Sequence, residues 1–428
     1  MSTYFIQNFG CRATQADGAA LETSLESKGL APAPRERAEL VILNTCTVTS
    51  AADDDVRQAV RRTRRENPNA RILVTGCYAQ RAPEEIAAWP GVTWVVGNSH
   101  KTQIPEMISD PAPYHGQIQV SDIFEQQEFL AAVVEDAAGD RTRPNLKVQD
   151  GCNNRCSFCI IPFVRGRSRS AQPEWVIEQV RGLAQRYREV VLSGINLGRW
   201  GRELGGQRLA ALVHRILDET GIERLRLSSV EPMDWSNDLL ELMASSPRIA
   251  QHVHAPLQTG SDGVLRRMHR KYRPRHYEDR VRTARALMPD AAIGADVMVG
   301  FPGETDAEFE ESRAFIEALP FTYLHVFTYS ERPGTPAAEA VQVPMPLRKE
   351  RNRVLRELAA QKGMEFRRSF VGRTLSVVTL EQERVALSGN YLKVELATAR
   401  EPNRIEDVRI GAATEAGLRE AALLNVVA

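Results

Sequence analysis

At 428 residues, 43% hydrophobic and 26% charged, the chain is ordinary globular material, long enough for two to three domains around sizeable buried cores. Lysine plus arginine (55) balances aspartate plus glutamate (55), which excludes a molecule-wide field for polyanions and leaves any nucleic-acid partner to local patches. No apolar run approaches the roughly 20 residues of a membrane span, and the opening MSTYFIQNFG has no basic region followed by an apolar stretch, so a cytoplasmic protein without a membrane partner is expected.

Over residues 1–115 apolar runs alternate with helical patterns: strands are expected at 4–6, 40–43, 71–74 and 94–96, and helices at 16–28 and 53–66. Such alternation predicts a doubly wound parallel sheet. Cys11 follows the first strand in NFGC, Cys46 the second in LNTC and Cys77 the third in VTGC. Loops after successive parallel strands gather at the carboxyl edge of the sheet, where ligands bind. Three semi-buried thiols in separate loops are the alternative; recurrence at one position of three units favours a shared three-thiolate site. Arg61, Arg62, Arg64 and Arg65 form a basic run on the second helix. Residues 110–130, rich in Pro and Gly at their start, read as a connection.

The central region, 138–365, opens on LKVQDGCNNRCSFCIIPFVRGRSR, which holds Cys152, Cys156 and Cys159 as C-x-x-x-C-x-x-C. Three thiolates in a tight loop converge on one soft metal centre. An iron–sulfur cube ordinarily takes four cysteines, so three leave one iron open to a small molecule. A zinc site completed by a distant ligand is the alternative, although zinc sites usually pair two C-x-x-C halves. Six strand candidates with helices between them follow, predicting a partial (β/α)6 barrel with its active residues at the carboxyl ends of strands. Those ends carry SGINLG, with Ser193, Gly194 and Asn196; SSVEP, with Glu231; HVHAPLQTGS, with His252, His254 and Gln258; and GADVMVGFPGE, with Gly300. Glu231 is placed to accept from hydroxyls or to meet a cation, and Gln258 is a candidate contact. Arg165, Arg167 and Arg169, and the stretch 266–276 with Tyr272, could meet RNA phosphates or stack on unpaired bases.

A helix over 347–366 leads to residues 366–428, where short alternating segments broken by SGN and EPN predict a small β-barrel.

The spacing and flanks of Cys152, Cys156 and Cys159 resemble the radical S-adenosylmethionine (SAM) superfamily. With VILNTCTVTSAADDDVRQAVRR and ILVTGCYAQ, the chain resembles the methylthiotransferases of that superfamily over nearly its whole length. The resemblance implies three parts: an N-terminal methylthiotransferase domain (1–115), a radical SAM domain (138–365) and a TRAM-like RNA-binding barrel (366–428). It implies two [4Fe-4S] clusters, one on Cys11, Cys46 and Cys77 and one on Cys152, Cys156 and Cys159. It also implies SAM held near Ser193, Gly194, Asn196, Glu231, Gln258 and Gly300. In the implied chemistry the first cluster carries a sulfur that one SAM methylates, and a second SAM yields a radical that removes hydrogen from an unactivated carbon. DGCNNRCSFCIIPFVRGRSRS, LRLSSVEP and NTCTVTSAAD look most like the branch acting on N6-threonylcarbamoyladenosine. The implied partners are a tRNA anticodon stem-loop and a low-potential electron donor such as flavodoxin or ferredoxin. The branches acting on isopentenyladenosine in tRNA or on a ribosomal-protein aspartate, and a zinc-containing RNA-binding protein without catalysis, are the alternatives. One departure stands out: Thr14 occupies a position where the family usually has Asn.

Overall fold

The protein, seen in a computed structural model, is described over residues 2–108, 116–126, 129 and 142–422. The boundaries expected at 115 and 138, much of the 110–130 connection and the last six residues lie outside the described residues.

The first sheet is parallel throughout: β1 (Thr3–Asn8), β2 (Ala31–Pro32), β3 (Leu40–Thr45), β4 (Arg71–Gly76), β5 (Val92–Val96) and β6 (Gln117–Gln119), in the order β2-β1-β3-β4-β5-β6. Its central strand β3 is wholly buried, as expected for a sheet covered on both faces, with separate apolar clusters on either side. The helices Arg12–Ser27 and Ser50–Glu66 provide part of that cover, the second starting at Thr49, whose hydroxyl accepts from Ala52 N at 3.2 Å. The two-residue β2 was not expected, because nothing in Ala-Pro signals a strand.

The central region has two parallel sheets that meet edge to edge. β7 (Asn145–Asp150), β9 (Glu189–Gly194) and β10 (Arg224–Leu227) form one, with β8 (Arg169–Ser170) antiparallel on β7. β11 (His252–His254), β12 (Ala292–Val299) and β13 (Tyr323–Thr328) form the other. A single parallel bridge, Leu225 to Ile249, links β10 to the segment before β11. Six parallel strands with helices outside them make the expected open barrel. The apolar segment after Cys159 is not extended: Ile161–Arg165 is a short helix, begun by Pro162 in its first turn.

The helix Met345–Arg368 runs to a closed barrel of β14 (Thr374–Thr379), β15 (Val385–Ser388), β16 (Lys393–Glu395), β17 (Ile405–Ala413) and β18 (Leu418–Glu420), ordered β14-β15-β16-β18-β17. This small barrel docks where the strands of the large one begin. Arg226 donates to the carbonyls of Ser388 and Gly389 at 3.0 and 3.1 Å, and Asn390 Nδ2 donates to Asp290 O at 3.0 Å. Tyr391, at φ +64°, lays its ring on His252 with centroids 4.2 Å apart. Among the described residues no helix is long and apolar enough to cross a membrane.

Helix Arg12–Ser27 lies against β7, and a buried ion cluster joins them. Asp17 contacts Lys147, Lys101 (3.1 Å) and Arg165 (2.9 Å), while Asp150 contacts Lys147 (2.8 Å) and Arg165 (3.0 Å). Burial opposes ionisation of Asp17, but Lys101, Lys147 and Arg165 together hold it well below the usual carboxylate range; Asp150 is lowered by Lys147 and Arg165 against the same burial. Both lowered groups therefore contribute stability that is complete above about pH 4, the ordinary aspartate value, and is lost as pH falls toward their folded values. Asp17→Asn strands buried cations and is expected to cost about 3–5 kcal/mol. Urea unfolding between pH 3 and 7 checks this: the wild type loses stability below about pH 4, and the variant shows a lower, flatter profile.

Candidate metal and cofactor site

The first three cysteines sit on neighbouring strands. Cys11 caps helix Arg12–Ser27 just beyond β1, Cys46 directly follows β3, and Cys77 opens helix Cys77–Arg81 after β4. Since β1, β3 and β4 are adjacent, about 4.8 Å apart strand to strand, the three thiols converge on one edge. Burial first, then the nearby Cys77 and Cys11, push the Cys46 thiol up to about 12. N–H groups aim at this edge: Arg165 Nε donates to Cys77 Sγ at 3.3 Å and Asn98 Nδ2 at 3.6 Å. Thr14 is fully buried, and its hydroxyl lies 3.6 Å from Cys11 Sγ. Gly10, at φ +92°, lets the Cys11 loop pass against Cys46: a Cβ there would stand 2.7 Å from Cys46 Sγ.

The second trio occupies the loop between β7 and helix Ile161–Arg165. Hydrogen bonds fold that loop: Cys152 N to Gly166 O (3.0 Å), Cys159 N to Cys156 O (3.1 Å) and Ser157 Oγ to Arg267 O (2.7 Å). Cys152 Sγ accepts from Asn154 N (3.4 Å) and Asn196 Nδ2 (3.7 Å), and Cys156 Sγ from Arg270 Nη1 (3.2 Å). Burial, then Cys156, push the Cys159 thiol up to about 12. Donors on sulfur favour the thiolate that a soft metal needs, and a bound metal centre would supply the stabilisation that burial withholds.

The remaining sequence candidates ring this loop unevenly. Ser193 and Gly194 end β9, and Asn196 N donates to Gln149 Oε1 at 2.7 Å. Ser193 Oγ and Asn196 Oδ1 are buried and have no partner. Glu231 pairs with Arg270, so it meets a cation and is not a free loop acid. Gln258 has φ +67°, a costly conformation for a side chain of its size, and Gly300 N donates to Glu304 Oε2 at 2.7 Å.

The basic runs need correction. Arg165 is 1% exposed and spent on Asp17, Asp150 and Cys77, and Arg169 is buried with its guanidinium on Arg165 O at 2.7 Å. Neither can reach a phosphate. Tyr272, 2% exposed, donates to the carbonyl of Leu257 at 2.6 Å and cannot stack on a base. Arg167, Arg266, Arg267, Lys271 and Arg275 of the same stretches, and Arg61, Arg62 and Arg65 on the second helix, remain exposed, so the runs are split between the interior and solvent. Asp296, Tyr323 and His325 are signalled in the sequence only by the alternation of polar with apolar residues along β12 and β13, and Arg12 only by its place next to Cys11.

Metal geometry separates the readings of the cysteines. Among the described residues the only His, Cys, Asp and Glu group whose ligand atoms all lie within 4.8 Å of one another is His254, Asp296 and His325. Neither thiol trio is therefore drawn in to the roughly 3.8 Å sulfur–sulfur separation around one tetrahedral zinc. Wider spacing, donors on sulfur, and the orphaned oxygens of Asn196, whose amide touches Cys152, and of Ser193 at the end of β9 fit a cluster with a polar ligand at its open iron.

Residues 3–97 match the family described as "Uncharacterized protein family UPF0004", and residues 146–316 match the radical SAM superfamily. The threonylcarbamoyladenosine tRNA methylthiotransferase MtaB of Aquifex aeolicus is 36% identical over 411 residues, covering 94% of this chain and 99% of that protein. Its namesake from Bacillus subtilis is 38% identical over 410 residues, 92% and 90% of the two chains. The tRNA-2-methylthio-N(6)-dimethylallyladenosine synthase of Desulforamulus reducens is 33% identical over 423 residues, 95% and 92%. Among solved structures, the radical SAM methyltransferase TsrM of Kitasatospora setae superposes with a TM-score of 0.59 at 16% identity, over 79% of this chain and 77% of that one, a likeness of fold. Gly10→Ala is expected to displace Cys46, so that the reconstituted protein binds roughly half the wild-type iron and sulfide if each trio holds one cube; colorimetric iron and sulfide analysis checks it.

Proposed function

Because the chain belongs to the radical SAM methylthiotransferases, we propose that it inserts a methylthio group at C2 of N6-threonylcarbamoyladenosine in tRNA, at position 37 beside the anticodon, giving 2-methylthio-N6-threonylcarbamoyladenosine. The observation that carries this choice is the 36–38% identity to four proteins of that name across about nine-tenths of the chain. The synthases acting on dimethylallyladenosine stand at 33–35%.

We assign Cys152, Cys156 and Cys159 to the cluster that binds SAM, and Cys11, Cys46 and Cys77 to a second cluster. When bound, these groups supply the one-electron chemistry and the sulfur that an unactivated ring carbon requires. The chain's own residues do the positioning. Asn196 and Arg270 direct N–H groups at Cys152 and Cys156 and so fix the loop that presents the open corner. Ser193 and Asn196, with unpaired buried oxygens, and Gly194, Glu231, Gln258 and Gly300 form the SAM contacts in this assignment. Arg165 lies against Cys77 and, through Asp150, stands one residue from the loop of the second trio, so a rigid salt-bridged wall separates the two centres at fixed distance. Helix Arg12–Ser27 against β7 closes that side of the barrel to water, which a carbon radical must not meet.

The division 1–115, 138–365 and 366–428 follows from this assignment, with the last part a TRAM-like barrel for the anticodon stem-loop, flavodoxin or ferredoxin as electron donor, and the cytoplasm as the site of action. Nucleoside mass spectrometry of tRNA from a deletion strain tests the substrate: 2-methylthio-N6-threonylcarbamoyladenosine should vanish while its unthiolated precursor accumulates, and retention of the modified nucleoside rejects the proposal. Cys156→Ala should abolish SAM cleavage, read as 5'-deoxyadenosine by chromatography. Cys46→Ala should keep deoxyadenosine formation and lose the methylthio product.

A further inference from the structure

The inner wall of the large barrel carries polar groups that the cluster and SAM assignments leave unused. Side chains alternate between faces along a strand. On β11, β12 and β13 the apolar partners Val253, Ile293, Ala295, Val297 and Val326 pack in the core, which turns His252, His254, Asp296, Tyr323, His325 and Phe327 toward the lumen. Gly294 lies between His254 and Tyr323 in the ladder and makes room for the tyrosine ring, since a Cβ there would be 1.9 Å from Tyr323 Cζ.

These groups form one hydrogen-bonded chain: His252 Nε2 to Tyr323 Oη (2.6 Å), Tyr323 Oη to His254 Nδ1 (2.8 Å), His254 Nε2 to Asp296 Oδ2 (3.2 Å) and His325 Nδ1 to Asp296 Oδ1 (3.1 Å). Burial raises the Asp296 carboxyl, but the two histidines outweigh it and hold it well below the usual range. An anion only accepts, so His254 Nε2 and His325 Nδ1 carry the protons facing it. In that tautomer His254 Nδ1 accepts from the Tyr323 hydroxyl, whose oxygen accepts from His252 Nε2. His252 Nδ1, in a ring 5% exposed, has no partner, and His325 Nε2 is left as a free acceptor on a half-exposed ring. Arg12, next to Cys11, makes no ion pair among the described residues; its carbonyl accepts from Asn145 Nδ2, at the start of β7, at 2.7 Å, and its charge is among the causes that, after burial, hold His252 low. On the other flank, Gln258 N donates to Asp296 O at 2.8 Å. The array thus spans from the first thiol trio to a SAM-contact loop. Phe327, 49% exposed, continues the wall into a cleft of 1010 Å³ that Arg57, Arg81, Arg348 and Arg356 also line.

We propose that this array is the pocket for the polar N6 substituent of the target adenosine: Arg12 takes the threonyl carboxylate, the free nitrogen of His325 accepts from the threonyl hydroxyl, and Phe327 stacks on the extruded base. The inference rests on the threonylcarbamoyl assignment and names the residues that read it. A dimethylallyl group has no donor or acceptor, so it would leave Arg12 and His325 desolvated and unpaired. Sites built for polar partners reject apolar analogues far more strongly than the reverse.

The test uses the full chain reconstituted with both clusters and three anticodon stem-loops that differ only at N6 of position 37: threonylcarbamoyl, its carboxylate methyl ester, and dimethylallyl. Affinity by fluorescence anisotropy and kcat/KM for methylthio product are measured for each. The wild type should favour the free acid over the ester by about 10- to 100-fold, the worth of a charge-assisted contact. Arg12→Gln should erase that preference, and His325→Leu should lower affinity and kcat/KM for the free acid by about 10-fold or more while iron and sulfide content stay at the wild-type level. Equal handling of acid and ester by the wild type, or a His325→Leu variant that binds the acid normally, overturns the proposal. So does a divalent metal equivalent found in the wild type and lost in Asp296→Asn, because the array would then be a metal site. Methylthiolation of the dimethylallyl RNA alone overturns it together with the substrate assignment, an outcome distinct from the others.

Discussion

Five buried charges hold the two halves of the site in register. Asp17 and Asp150 face Lys101, Lys147 and Arg165, and the members come from both sides of the contact between helix Arg12–Ser27 and β7. Taking such charges out of water costs several kcal/mol each, recovered only with near-ideal partners. A shift of helix Arg12–Ser27 by even an ångström would therefore be resisted on several contacts at once. The cluster carries one positive charge in excess, and its Arg165 lies on Cys77 Sγ. In the cluster assignment, the charge left over by the interface would offset the negative charge of three thiolates.

The barrel inverts the usual distribution of polarity. Its apolar side chains face outward, under the helices, where Val148, Leu192, Leu225, Val253, Ile293 and Val326 join one core. Its lumen is lined with Lys147, Gln149, Glu189, Arg226, His252, His254 and Asp296, all hydrogen-bonded. A lining that is polar yet largely buried suits a reaction that must orient a substrate rich in donors and acceptors.

Much of this was legible in the sequence. C-x-x-x-C-x-x-C at 152–159 and the three strand-end cysteines follow from spacing alone, and the parallel sheets follow from alternating apolar and amphipathic segments. The short elements were not legible: β18 is Leu-Arg-Glu with a single buried residue, and it exists because its backbone completes the ring between β16 and β17. Arg165 and Arg169 read as a basic patch only while adjacency in sequence stands for adjacency in space. The helix at Ile161–Arg165 and strand β8 point both inward instead. Likewise Asp296 and His325 lie 29 residues apart and become partners only through the register of β12 with β13.

Tyr391 has a consequence that reaches beyond its own domain. Its backbone is held in a left-handed conformation that costs a non-glycine residue roughly 1–3 kcal/mol, and its ring seals the underside of His252. The small C-terminal barrel is therefore also the stopper of the large one. A load on the small barrel is thus a load on the floor of the large one, so how firmly the one is held and how tightly the other is closed are mechanically one variable.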